Sequence, residues 1–83
     1  MSDHPSYRIF YFGLLADRRG LSEETITSAA ATPAAIYAEL IAIHPLGMTP
    51  EQLRVAVNDE FAAWDHPLQP GDTMALLPPM SGG

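Results

Sequence analysis

Eighty-three residues, 47% of them hydrophobic, suit one packed domain and are too apolar for disorder. Ten acidic residues against four arginines and no lysine give a net charge of −6. That charge repels phosphate backbones and anionic lipid, so neither a nucleic-acid nor a membrane partner is expected. The lack of cysteine excludes disulfides, thiolate metal sites and cysteine nucleophiles, and the lack of lysine excludes an acyl-accepting side-chain amine.

Residues 1–6 are polar, with no basic apolar leader, and read as the flexible N-terminus of a cytoplasmic protein. Tyr7 to Gly13 (YRIFYFG) is aromatic and β-branched and predicts a strand, with Tyr7, Ile9 and Tyr11 on one face and Arg8, Phe10 and Phe12 on the other. Both faces carry large apolar groups, so one is core and the other a candidate contact surface. Leu14 to Ser22 reads as a turn, and Glu23 to Ala29 as a second strand closing a hairpin.

Thr32-Pro33 is a helix start, a capping hydroxyl followed by proline in the first turn. Ala34 to His44 carries Ile36, Leu40 and Ile43 at helical spacing, and Pro45 stops the helix. After a loop over Leu46 to Glu51, Leu53 to Asn58 alternates, with Leu53, Val55 and Val57 facing inward. Asn58-Asp59-Glu60 signals a turn and Phe61 to Trp64 a short return strand. The turn-rich Asp65 to Asp72 leads into a last strand, Thr73 to Leu77, placed beside the first at the centre of the sheet. Pro78-Pro79 then forbids further ladder pairing. The expected fold is α+β: a mixed sheet of four to five strands packed on one main helix over residues 7–79, followed by a flexible Gly-Gly tail over 80–83.

The chemistry-bearing candidates are few. Gly82-Gly83 after Pro-Pro presents a carboxylate at the end of a thin probe, free of side chains that would clash with a narrow channel. The competing reading is a frayed terminus. Asp65 and His66 are adjacent in an extended segment, point apart and read as a structural turn. His44, closing a helix, is placed to satisfy terminal carbonyls. His4, His44 and His66 have no metal-ligand spacing, so no metal site is expected. Trp64 and the tyrosines read as core or rim. Phe10, Phe12, Phe61 and Leu77 stand out as apolar groups, and strand parity puts Phe12 and Leu77 on the face away from the helix; that face is either a partner site or covered by loops.

From Asp65 to Gly83 (DHPLQPGDTMALLPPMSGG) the chain resembles the molybdopterin synthase small-subunit branch of the MoaD/ThiS ubiquitin-like sulfur-carrier family. The matching parts are Asp65-His66-Pro67-Leu68, Gly71-Asp72, Pro78-Pro79 and Gly82-Gly83, while the opening strand with Phe12 and Val57-Asn58 before a turn fit the same pattern. Met80 stands where a smaller branched residue is usual, Leu76-Leu77 where relatives often have phenylalanine, and the 16–20 loop lacks the family's arginine–glutamate pair in its usual register.

The resemblance implies a β-grasp, ubiquitin-like fold. It implies that Gly83 is adenylated by a ubiquitin-activating-like enzyme using ATP, converted to a thiocarboxylate, and delivered with Met80, Ser81 and Gly82 into the large subunit of molybdopterin synthase. There the sulfur passes to a cyclic pyranopterin precursor during molybdenum cofactor synthesis. It implies docking through Phe12, Phe61 and Leu77, no cofactor bound by the chain itself, and no catalysis by the chain alone. Carriers serving thiamine or cysteine synthesis, and a ubiquitin-like protein modifier, remain open alternatives.

Overall fold

The computed structural model describes residues 4–79; residues 1–3 and the expected tail at 80–83 lie outside them. Strand β1 (Ser6–Tyr11) pairs antiparallel with β2 (Glu23–Thr27) and parallel with β5 (Thr73–Leu77). Strand β3 (Arg54–Val57) joins the far side of β5 and pairs with the short edge strand β4 (Glu60–Ala62), giving a five-stranded sheet of order β2-β1-β5-β3-β4. The two most apolar strands are adjacent and β5 lies in the middle. With helix α2 (Pro33–Ile43) packed across one face, this is the β-grasp, ubiquitin-like fold.

Alternation sets the two faces of the sheet. Tyr7, Ile9 and Tyr11 of β1, Val55 and Val57 of β3, and Met74 and Leu76 of β5 are buried against Ile36, Tyr37 and Leu40 of α2. The Thr32 hydroxyl caps α2 by accepting the Ala35 N–H at 3.2 Å. Two buried tyrosine hydroxyls bond backbone: that of Tyr37 donates to the Met48 carbonyl at 2.6 Å and that of Tyr7 to the Ala30 carbonyl at 3.1 Å. Ring contact adds Trp64, whose centroid lies 5.6 Å from that of Tyr37.

Four expectations need correction. Leu14–Arg19 is not a turn but a short helix, α1, closed by Gly20. The charged run Asp17-Arg18-Arg19 suggested a solvated turn, yet Leu15 is fully buried, and that anchoring carries the helix. Ile43, expected inward, is 72% exposed because α2 ends there; Leu46 from the following loop is buried in its stead. The return strand begins at Glu60 and not at Phe61, because Asn58 (φ 52°) and Asp59 (φ 70°) form a two-residue hairpin loop with both residues left-handed.

At the C-terminus of α2, His44 acts through its backbone N–H, which bonds the Leu40 carbonyl at 2.8 Å, and not through its ring as expected. No helix among the described residues is long and apolar enough to cross a membrane.

Candidate functional site

The outward residues of four strands line up in one row across the helix-free face. Register places Phe10 opposite Ala75, Ala75 opposite Ala56, and Ala56 opposite Phe61. One pleat further along, Leu77 is opposite Arg54, and Phe12 follows the Tyr11–Leu76 pair at the end of β1. The result is a shallow depression of about 220 Å³ lined by Phe12, Ala56, Asp59, Phe61, Ala75 and Leu77. Phe61 is 70% and Phe12 47% exposed, so two aromatic rings stand in water around an alanine floor. Such a patch is a candidate interaction surface.

Phe12, Phe61 and Leu77 are therefore brought together, and no loop covers either aromatic. Ala56 and Ala75 were missed. Their signal was available: each is a small residue at an outward position between two large apolar ones, Val55 and Val57 or Met74 and Leu76. Phe10 is only half-buried and holds the Arg8 guanidinium 5.4 Å from its ring centroid, while Arg8 also pairs with Glu23.

The chain leaves the sheet beside this depression. Pro78 follows Leu77 directly, and Gly13 allows it to close in: a Cβ added at Gly13 would lie 3.3 Å from Pro78 Cγ. Gly13 also holds φ 55° and ψ −129°, a conformation that strains any residue with a Cβ. The other end of β5 is tied by a turn. The Asn58 amide donates to Asp72 at 3.0 Å, the Gln69 N–H donates to Asp72 at 2.8 Å, and the Thr73 N–H donates to Asn58 Oδ1 at 3.1 Å. The Asn58 amide first, then the Gln69 N–H, hold the Asp72 carboxyl below the usual range. Met80, Ser81, Gly82 and Gly83, named from the sequence as the tail and its reacting carboxylate, lie outside the described residues.

Arg18 and Arg19 hold α1 in place. Arg18 donates to the Leu46 carbonyl at 2.6 Å, and Arg19 makes a two-pronged contact with Glu24 at 2.8 and 3.0 Å. The Tyr11 hydroxyl donates to the same carboxylate at 2.5 Å. The Arg19 bonds, more than the Tyr11 bond, hold Glu24 below the ordinary carboxyl range; burial and the nearby carboxylate push Tyr11 up. His66 and Asp65 are both exposed; the His66 N–H bonds the Ala63 carbonyl at 3.1 Å, as a turn requires. Among the described residues no group of three or more histidine, aspartate or glutamate side chains could hold a metal.

Comparison with known proteins fits this architecture. Residues 9–83 match the ThiS family. A 38-residue stretch is 42% identical to the molybdopterin synthase sulfur carrier subunit of Escherichia coli K12, covering 46% of this chain and 47% of that protein, so the match spans about half the length of the curated relative. The crystal structure of SAMP1 from Haloferax volcanii superposes with a TM-score of 0.78 at 28% identity, over 94% of this chain and 99% of that one. A chain from the complex of subunits 1 and 2 of the molybdopterin-converting factor of Helicobacter pylori gives a TM-score of 0.68 at 25% identity, over 94% and 99%. With nearly its whole length matched, the chain belongs to the ThiS family.

Proposed function

We propose that the protein is a sulfur carrier that serves as the small subunit of molybdopterin synthase, with Gly83 as its reacting residue. The observation that carries this reading is the placement of an apolar depression, Phe12, Phe61 and Leu77, at the point where β5 hands the chain to Pro78-Pro79. A partner seated on that face lies next to Pro78, where the chain leaves the sheet.

A carboxylate is a poor electrophile until it gains a leaving group. A Gly83 carboxylate oxygen attacks the α-phosphorus of ATP in a ubiquitin-activating-like enzyme, and pyrophosphate leaves. A sulfide-equivalent nucleophile then attacks the acyl carbon, and AMP leaves with the original oxygen, giving a thiocarboxylate. In the large synthase subunit the thiocarboxylate sulfur attacks a side-chain carbon of the pyranopterin precursor. The carbon–oxygen bond there breaks and the oxygen leaves with a proton from the partner. Water then cleaves the acyl–sulfur link, restoring the Gly83 carboxylate and leaving the sulfur on the precursor as a thiolate. A dithiolene needs sulfur on both its carbons, so the carrier cycles. The chain contributes the sulfur and the fit; the acid–base groups are the partner's.

The test is intact mass after incubation with the activating enzyme, ATP and a sulfur donor. One oxygen replaced by sulfur is expected, and the change vanishes when Gly83 is deleted. An unchanged mass, with the activating enzyme shown to work on another carrier, overturns the reading. A second reading, a protein modifier, is favoured by the likeness to SAMP1 of Haloferax volcanii, an archaeal relative by structure. It predicts covalent, reductant-resistant conjugates of higher mass in cells.

A further inference from the structure

The four arginines are not used alike. Arg8 pairs with Glu23, Arg18 with the Leu46 carbonyl and Arg19 with Glu24. Arg54 has neither a hydrogen bond nor an ion pair among the described residues. Its one partner is the Phe61 ring, whose centroid is 5.6 Å from the guanidinium carbon. The pairing follows from register: Ala56 is opposite Phe61, so Arg54, two residues back on β3, is the diagonal neighbour of Phe61 on the same face. It is also directly opposite Leu77. Arg54 does not line the depression itself but neighbours two residues that do, Phe61 and Leu77, with its donors unspent, in a chain of ten acidic residues.

This arrangement constrains whatever covers the face. An apolar partner surface alone would strip water from a cation with no replacement, which is costly. Over the Phe61 ring the guanidinium keeps its N–H donors available for a carboxylate, which can accept two of them at once. We infer that Arg54 is a specificity-determining residue of the docking face, and that the partner presents a carboxylate opposite it, beside the socket that receives Phe61. The inference rests on the docking role proposed above and adds to it the chemistry of the partner's rim. A partner with an arginine or lysine at that place is rejected by like charge, which gives this carrier a means of choosing among similar apolar sockets.

The experiment uses the full chain and the large synthase subunit from the same organism, with affinity measured by titration calorimetry at several salt concentrations. Arg54→Glu, Arg54→Lys and Phe61→Ala are compared with wild type after thermal melts have shown each variant folded. The inference expects Arg54→Glu to bind about ten- to a hundredfold more weakly, with a flattened salt dependence, and Arg54→Lys, which keeps the charge but not the forked donors, to recover only part of the loss. If Phe61→Ala weakens binding but Arg54→Glu binds like wild type, the face is right and the role of Arg54 is overturned. If Phe61→Ala also binds like wild type, the docking role falls, and this inference with it.

Discussion

Replacing Gly13 by alanine tests how the exit from the sheet is built. At φ 55° and ψ −129° an alanine is in a region that only glycine occupies freely, at a cost of roughly 1–3 kcal/mol. The added Cβ would also lie 3.3 Å from Pro78 Cγ, so the proline or the β1–α1 junction must give by a fraction of an ångström. Together these put Gly13→Ala at about 2–3 kcal/mol less stable than wild type. For a domain of this size that is a fall in Tm of roughly 10–20 °C. Gly71→Ala is the control: φ is 86°, but nothing lies within 4 Å of the added Cβ, so only conformational strain of about 1 kcal/mol is expected. Urea unfolding followed by Trp64 fluorescence, beside thermal melts by circular dichroism, separates the two. A Gly13→Ala variant no less stable than Gly71→Ala would refute the contact with Pro78 as a determinant of the exit.

Leu15→Ala should cost about 2–5 kcal/mol, as a cavity in a core does, because Leu15 is fully buried; a surface turn would lose almost nothing, and a urea midpoint within error of wild type would show that α1 does not anchor in the core. Glu24→Gln tests the Arg19–Glu24–Tyr11 cluster through pH. The folded-state pKa of Glu24 is depressed, so its contribution is present above the ordinary glutamate pKa and is lost as pH falls through the folded value. The variant should be about 1 kcal/mol less stable at pH 7, and the gap should narrow as pH falls below the ordinary glutamate range and through the lower folded-state value. A gap that stays constant with pH would mean the ion pair contributes nothing.

The fold was legible wherever one strand or helix carried its own periodic signal. The alternation of Tyr7, Ile9 and Tyr11 against Phe10 and Phe12 and the Thr32-Pro33 start of α2 are local chemistry and stand as read, and the Asn58-Asp59-Glu60 turn stands but for Glu60, which already belongs to β4. The positions that were misread depend on tertiary partners. Leu14-Leu15-Ala16 is too short to show a helical period, and six residues gain little from helix propensity, so α1 exists because Leu15 finds the core and Arg18 and Arg19 find Leu46 and Glu24. Ile43 obeys the period of α2 and still faces water, since periodicity does not say where the neighbouring sheet ends. The docking face was half legible: parity put Phe12 and Leu77 together, but the strand order that lays Phe61, Ala56 and Ala75 in one row is a long-range property. Gly13 carried a signal, a glycine directly after an aromatic strand, but its neighbour Pro78 is distant in sequence.

One strand sets both the face and the exit. Residues of β5 alternate in burial, Met74 and Leu76 into the core and Ala75 and Leu77 toward the depression. A slip of one residue in its pairing would push Leu77 into the core, turn Leu76 outward and move the exit relative to Phe12 and Phe61. The side chains that prevent the slip lie at the other end of the strand. Asp72 is held by Asn58 and Gln69, and Thr73 is bonded to the same Asn58, so the turn after β3 and the start of β5 are fastened to each other before the β3–β5 ladder begins. The Asp72 carboxyl, held ionised by those donors, is thus a positioning group for a face on the opposite end of the strand. In so small a domain, with the helix taking one side of the sheet, this is how the other side can stay apolar, open and fixed in register at once.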